Sequence, residues 1–329
     1  MVHRDWVNVL AIDGGGIRGL IPAMVLEALE TRLGQRLCDG FDVIAGASTG
    51  GILALGLGTA CKQPGEPYTA AELQHVYLTD GRRIFPGGPR WRWRGIFSAL
   101  YPARPLERVL RERFGDTRLS AALTALVIPS YDLHMAGSFF FKTGAGGALA
   151  PGETDAFIRD AARATSAAPT YFKPLLLHDG ARERVLIDGG VVANNPAMAA
   201  YAEARRLFPQ AARIVVVSCG TGSRKDSVSY PDARGWGLMS WADHVAPVLI
   251  EGDAAAVDYE MRALPQSACD FFRFEPALRA DEIAMDDPSP ANLQRLQATA
   301  RRFIQEQSPA LDAVCAALTG GGATSASAT

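Results

Sequence analysis

The stretch Phe41-Asp42-Val43-Ile44-Ala45-Gly46-Ala47-Ser48-Thr49-Gly50-Gly51-Ile52-Leu53-Ala54-Leu55 decides the fold. Phe41 to Ala45 is a short apolar run of the kind that forms a buried strand, and Gly51 to Leu57 reads as a helix. Between them lies Gly46-x-Ser48-x-Gly50, so Ser48 falls on a strand-to-helix turn. So tight a turn needs small flanking residues, and Gly46 and Gly50 supply them while leaving the hydroxyl exposed. The helix that follows points its positive end at the same spot. Ser48 is therefore a candidate nucleophile.

Working outward toward the N-terminus, Val7 to Ile12 is another apolar run. It ends at Asp13-Gly14-Gly15-Gly16-Ile17-Arg18-Gly19, and Leu20 to Leu33 then shows helical periodicity. Gly14, Gly16 and Gly19 satisfy the dinucleotide pattern G-x-G-x-x-G. That reading needs a second strand ending in an acidic residue about 20 residues on, whereas this chain runs through Cys38-Asp39-Gly40 into the Ser48 strand. The turn reads better as a set of backbone N–H groups offered to an anion beside a helix start. Such a turn can stabilise the oxyanion that forms when Ser48 attacks an ester.

Toward the C-terminus, Arg184-Val185-Leu186-Ile187-Asp188-Gly189-Gly190-Val191-Val192-Ala193-Asn194-Asn195-Pro196 repeats the plan. An apolar strand delivers Asp188 to a Gly-Gly turn, and a helix from Pro196 to Leu207 follows. Asp188 thus occupies the position that Ser48 does, at a strand end beside a helix start, and is the candidate base.

The chain has 329 residues, 48% hydrophobic and 21% charged, with formal net charge -2. This is ordinary globular composition, ample for a sizeable core. The near-neutral balance argues against a nucleic-acid polymer as partner. The five cysteines are scattered without metal-ligand spacing, and no acidic or histidine cluster suggests a calcium or zinc site, so neither metal nor cofactor is expected. No signal peptide and no run approaching the ~20 apolar residues of a membrane span is evident, and a cytoplasmic protein is expected.

Further helices are expected over Ala70 to about Asp80, Pro105 to Phe114, Thr154 to Ala168, Leu238 to Met261 and Pro290 to Leu318. Strands are expected over Thr124 to Tyr131, interrupted by Pro129, and over Phe139 to Lys142, Arg213 to Ser218 and Phe271 to Phe274. The segment from Arg82 to Phe97 interleaves aromatic and basic residues; a surface loop is the plainer reading, a lid or membrane-touching loop the competing one. The polar stretch from Arg224 to Gly237 marks a loop or a boundary. One domain is expected over residues 1–318, with a motif-bearing core at 7–222, a helical part at 238–318 and a disordered tail at 319–329.

Alternating apolar strands and helices argue for an α/β fold with a mainly parallel central sheet flanked by helices. Functional groups in such sheets collect at the carboxyl ends of strands, where the glycine turn, Ser48 and Asp188 all fall. Oxyanion donors, nucleophile and base are the parts of an acyl-transfer site.

In order and type these blocks resemble the patatin-like phospholipase family: Asp13-Gly14-Gly15-Gly16-Ile17-Arg18-Gly19, then Gly46-Ala47-Ser48-Thr49-Gly50, then Asp188-Gly189-Gly190. Val127 to Asp132, Ala164 to Pro174 and Asn194-Asn195-Pro196 add to the likeness, which covers residues 7 to 222. The resemblance implies a three-layer fold and a Ser48-Asp188 dyad, with Ser48 attacking the acyl carbonyl and Asp188 taking its proton. It also implies an oxyanion hole from the amides of Gly14, Gly15 and Gly16, and Arg18 holding a lipid phosphate. Substrate and surface would be membrane phospholipid, met by transient peripheral contact. Some bacterial proteins of this type act as antiphage effectors that hydrolyse membrane lipid when a cyclic dinucleotide binds, so a cyclic dinucleotide activator stands as an alternative, as does self-association into a homo-oligomer. An acyl transferase or thioesterase, which pairs serine with histidine, fits less well. His244 is the histidine that follows the acid in the chain order of a Ser-Asp-His triad.

Overall fold

The computed structural model describes residues 6–62, 65–86, 98–180, 182–224 and 228–320. The strands of the main sheet are β1 (Trp6–Ile12), β2 (Val43–Gly46), β3 (Ala125–Asp132), β4 (Gly137–Lys142), β5 (Leu175–Asp179), β6 (Arg182–Ile187), β7 (Arg213–Cys219) and β8 (Cys269–Phe274). They form one eight-stranded sheet in the order β5-β6-β3-β2-β1-β7-β8, with β4 pairing β3. The five central strands, β3 to β8 in that order, run parallel, while β4, β5 and β6 are antiparallel additions at one side.

Side-chain alternation along the central strands builds the three layers. Leu10, Ile12, Ile44, Leu126, Ile128, Val215 and Val217 enter one core, and Val7, Val9, Val43, Ala45, Val127, Ile214 and Val216 enter the other. Successive side chains of a strand point to opposite faces, so continuous apolar runs are what a sheet covered on both sides requires. The larger core lies under α1 (Leu20–Leu33), α2 (Thr49–Gly58) and α3 (Ala70–Leu78), with α4 (Ala103–Phe114), α5 (Ile158–Thr165), α8 (Pro290–Glu306) and α9 (Ser308–Leu318) around them. The smaller core is covered by α6 (Ala197–Leu207) and the C-terminal part of α7 (Leu238–Ala263), through Val257 and Met261. Every residue of α2 is buried, which accounts for a helix with no polar stripe.

Three expectations change. Thr154 to Ala168 is helical only over Ile158–Thr165. Pro129 does not interrupt its strand, since β3 runs through it to Asp132. The polar stretch before Gly237 contains a short helical turn, Tyr230–Ala233, whose Ser229 side chain accepts from the Asp232 N–H. Arg82 to Ile84 lie in a short helix, Gly81–Ile84; residues 87–97, and with them the interfacial reading of that segment, lie outside the described residues, as does the tail beyond Gly320.

Candidate active site

Ser48 stands between β2 and α2 with φ 52° and ψ −120°, a conformation that L-residues rarely adopt. The turn is possible because a Cβ on Gly46 would come within 2.1 Å of the Gly50 carbonyl oxygen, and one on Gly50 within 2.1 Å of the Ile12 carbonyl oxygen. The strained serine is held by its own N–H, which donates to Thr165 Oγ1 at 3.0 Å. Thr165 also accepts the Gly189 N–H on its carbonyl at 3.0 Å, so one residue at the end of α5 ties both turns together.

Ser48 Oγ donates to Asp188 Oδ2 at 2.9 Å, and the Gly190 N–H donates to Asp188 Oδ1 at 2.7 Å. The carboxyl is buried, and burial pushes its pKa up to about 7 against the opposing pull of the Gly190 and Ser48 donors. A carboxylate in that range is a far better base near neutrality than one at its ordinary value. Asp188 reaches this place differently from the other two turns. β6 is antiparallel to β3, pairing Ile187 with Tyr131 and Leu186 with Asp132, so it enters from beyond the carboxyl edge and ends inward beside Ser130. Ser130 Oγ fastens it there by donating to the Ile187 carbonyl at 2.6 Å.

The glycine turn sits opposite. Asp13 donates its N–H to the Cys219 carbonyl at 3.0 Å, and Thr221 Oγ1 donates to the Gly14 carbonyl at 2.8 Å. Gly14 departs from the expectation of a free amide, because its N–H is given to the Asn194 carbonyl at 3.1 Å. Gly15 and Gly16 donate to no backbone acceptor in the turns and loops, and both border the cavity that contains Ser48 and Asp188. Gly16 has φ +60° and passes so close to the Met285 carbonyl that a Cβ would lie 2.2 Å from it. The Thr49 amide opens α2 at the same cavity, likewise without an acceptor outside the helix.

Asp13 shows why the turn is rigid. Its carboxylate is gripped by both terminal nitrogens of Arg273 on β8, at 2.9 and 2.6 Å, and Arg273 also bonds Ser218 Oγ at 2.7 Å and pairs with Glu275. Burial raises the Asp13 pKa and Arg273 works against it. For Arg273 burial opposes the charge, but Asp13 and Glu275 outweigh it and hold the guanidinium firmly protonated. Asp253 of α7 accepts the N–H groups of Asn194 and Asn195, at 2.7 and 3.2 Å, on one oxygen. Thr165, Arg273 and Asp253 were not singled out from sequence; Arg273 lies 260 residues from its partner, and nothing local marks it.

The cavity at Ser48 opens onto about 790 Å³ of free space, solvent at its mouth included, and its walls are apolar: Ile17, Ile52, Val76, Phe85, Leu106 and Phe172. No histidine borders it among the described residues. His244 instead stacks on Trp236 at 4.0 Å between ring centres, with Nδ1 2.7 Å from the Ser240 carbonyl. Arg18 faces a second, polar cavity beyond the glycine turn; the two cavities share Asn194 and Ile250. Burial lowers the pKa of Arg18, and Glu275 and Glu251 oppose that shift.

The patatin-like phospholipase family model matches residues 10–201. The chain is similar to patatin-like protein 2 of Arabidopsis thaliana, 33% identical over 92% of this chain and 84% of that one, and to patatin-like protein 1 of Oryza sativa subsp. indica, 33% identical over 92% and 82%. The structure is also similar to that of VipD from Legionella pneumophila, with a TM-score of 0.45 and 12% identity over 92% of this chain and 67% of that one. On the match through residues 10–201 and on identities that extend over most of both chains, this chain belongs to the patatin-like phospholipase family of lipid acyl hydrolases.

Proposed function

We propose that the chain cleaves fatty-acyl esters of membrane phospholipids through a Ser48-Asp188 dyad. The observation that carries this is the 2.9 Å bond from Ser48 Oγ to a buried carboxylate at the wall of an apolar cavity. Asp188 takes the hydroxyl proton as Ser48 Oγ attacks the acyl carbonyl, forming the C–O bond of a tetrahedral oxyanion. The amides of Gly15 and Gly16, with that of Thr49, stabilise it, while Gly14 contributes by anchoring the turn to Asn194. Collapse expels the lysolipid alkoxide, which takes the proton back from Asp188. Water, deprotonated by the same carboxylate, then attacks the acyl carbon, the acyl–Oγ bond breaks, and Ser48 Oγ takes the proton back from Asp188 as the fatty acid leaves. The apolar cavity suits the acyl chain, and Arg18 suits the phosphate.

Contact with a bilayer is supported by α7. Trp241, Val245, Val248 and Leu249 are exposed at helical spacing on one face, immediately before Ile250 at the cavity wall. No helix among the described residues is long and apolar enough to cross a membrane. Arg273 and Asp253 reach into the motif-bearing part from the C-terminal third, and this supports reading residues 1–318 as one working unit.

The test is fatty-acid release from phospholipid vesicles by wild type and Ser48→Ala. Release by wild type, reduced on the order of 10⁴-fold or more in the variant, is the expected result; equal release by both would remove Ser48 from the chemistry. Repeating the assay with a panel of cyclic dinucleotides tests the gated alternative, which requires release only when one of them is present.

A further inference from the structure

The second cavity opens onto about 990 Å³ of free space, solvent at its mouth included, and mixes polar with apolar surface where the first is almost wholly apolar. Four carboxylates and three guanidiniums line it. Most are matched within the protein: Arg273 is spent on Asp13 and Glu275, and Arg262 Nε donates to Asp258 Oδ2 at 2.8 Å. What is left over is specific. Arg18 is only 6% exposed, makes one long bond of 3.4 Å from Nε to the Gly15 carbonyl and has no ion pair among the described residues. Glu251, exposed at the cavity mouth, has only a loose pairing with Arg224, 3.6 Å apart, and the second oxygen of the partly buried Asp258 has no hydrogen-bond partner among the described residues.

The leftover charges are arranged in order. Glu251, Ala254, Ala255 and Asp258 stand at i, i+3, i+4 and i+7 of α7 and so share one face of the helix. The two alanines keep the space between the carboxylates open. Arg18 lies on the turn that follows the Gly15 and Gly16 amides, and the charges of Glu275 and Glu251 act on it. The two cavities adjoin at Asn194 and Ile250, and the second holds a cation without an ion pair among the described residues and, on α7, carboxylates with spare capacity. A buried cation left unpaired is costly unless a ligand supplies the counter-charge, and the same holds for an unsatisfied carboxylate oxygen.

We infer that this cavity is a headgroup site that selects phospholipids carrying a primary ammonium, with the phosphate on Arg18 and the ammonium between Glu251 and Asp258. The inference rests on the acyl-hydrolase reading of Ser48, because the acyl ester must lie at that serine for the headgroup to reach the second cavity. An ethanolamine-type headgroup brings one negative and one positive charge, separated by two carbons, to a site that lacks one of each. A headgroup ending in glycerol supplies the phosphate and leaves the carboxylates of α7 without a cation.

The experiment compares kcat/KM on phosphatidylethanolamine and phosphatidylglycerol with identical acyl chains, each dilute in neutral detergent micelles so that surface charge does not differ. A p-nitrophenyl ester without a headgroup is run beside them. Wild type is expected to prefer phosphatidylethanolamine by about tenfold or more, the value of one charge-assisted hydrogen bond. Glu251→Lys is expected to bring that ratio to one or reverse it. A wild-type ratio of one or less with the plain ester still cleaved overturns the inference and leaves the acyl-hydrolase reading standing. A ratio unchanged in Glu251→Lys that cleaves both lipids also overturns it. If that variant does not fold, the wild-type ratio decides alone. Failure of wild type on all three substrates overturns both readings.

Discussion

Between Trp6 and Arg224 the site residues sit on turns at strand ends, where Ser48, Asp188 and the Gly15 and Gly16 amides face one apolar cavity. Between Val228 and Gly320 the chain places none of these groups. It reaches the same turns from behind, with Arg273 on Asp13, Asp253 under Asn194 and Asn195, and the Met285 carbonyl against Gly16 and on the Ile17 N–H at 2.8 Å. In the proposed mechanism the first region carries the reactive atoms, and the second sets their positions and the charges behind them. Losing a group from the first should therefore remove turnover and spare the fold, whereas losing one from the second should cost stability and turnover together.

The largest separation is expected at Asp188. Asp188→Asn should lower kcat on the order of 10³-fold, the usual worth of a general base, in a protein whose circular dichroism is unchanged. An unfolded variant would erase the contrast between the regions. At Arg273 the balance should reverse. Arg273→Leu leaves the buried Asp13 and the half-buried Glu275 without their cation and should cost about 3–5 kcal/mol in urea unfolding. Adding Asp13→Leu should restore part of that loss, since an apolar pair avoids the unpaired charge; additive losses would mean that the two residues do not work as a pair.

Asp188 sharpens the comparison from the side of stability. Its folded pKa of about 7 lies above the ordinary 3.8. Between these values the native state keeps a proton that the unfolded chain has released, so this group's contribution falls as pH rises through that window and stays low above 7. Asp188→Asn does not titrate and should be more stable than wild type by about 1–3 kcal/mol at pH 8. The gap should close toward pH 4; a gap that does not change with pH would contradict the burial argument. The smallest effect is expected at Asp253. Asp253→Ala removes an acceptor from two amides and should cost about 1–2 kcal/mol, with kcat falling only a few-fold. A loss as large as that at Arg273 would show that the Asn194 turn, and not the Asp13 pair, is the main support of the glycine loop.

How far the site can be read from sequence follows the same division. Ser48 and the glycine turn were legible because the need for small residues is local, imposed by approaches such as that of Gly50 to the Ile12 carbonyl. Asp188 was legible by type and by its neighbours, but its route was not. It arrives on an antiparallel strand from a β5-β6 hairpin, of which Leu175–Asp179 carries no distinctive pattern. The engaged Gly14 amide was hidden because its acceptor, Asn194, is 180 residues away. Arg273 sits in a short aromatic strand that was expected, yet its role depends on β8 lying beside β7, a pairing that no local signal announces.

In the proposed mechanism a buried Asp188, titrating near neutrality, activates Ser48. The pH dependence of kcat/KM for fatty-acid release by wild type, between pH 5 and 9, tests it most directly. Only the ionised carboxylate can take the serine proton, so the rate should climb about tenfold per pH unit below the pKa and level off above about 7. A rate flat from pH 5 upward would mean that Asp188 titrates as an ordinary exposed carboxyl does and is not the activated base proposed for Ser48.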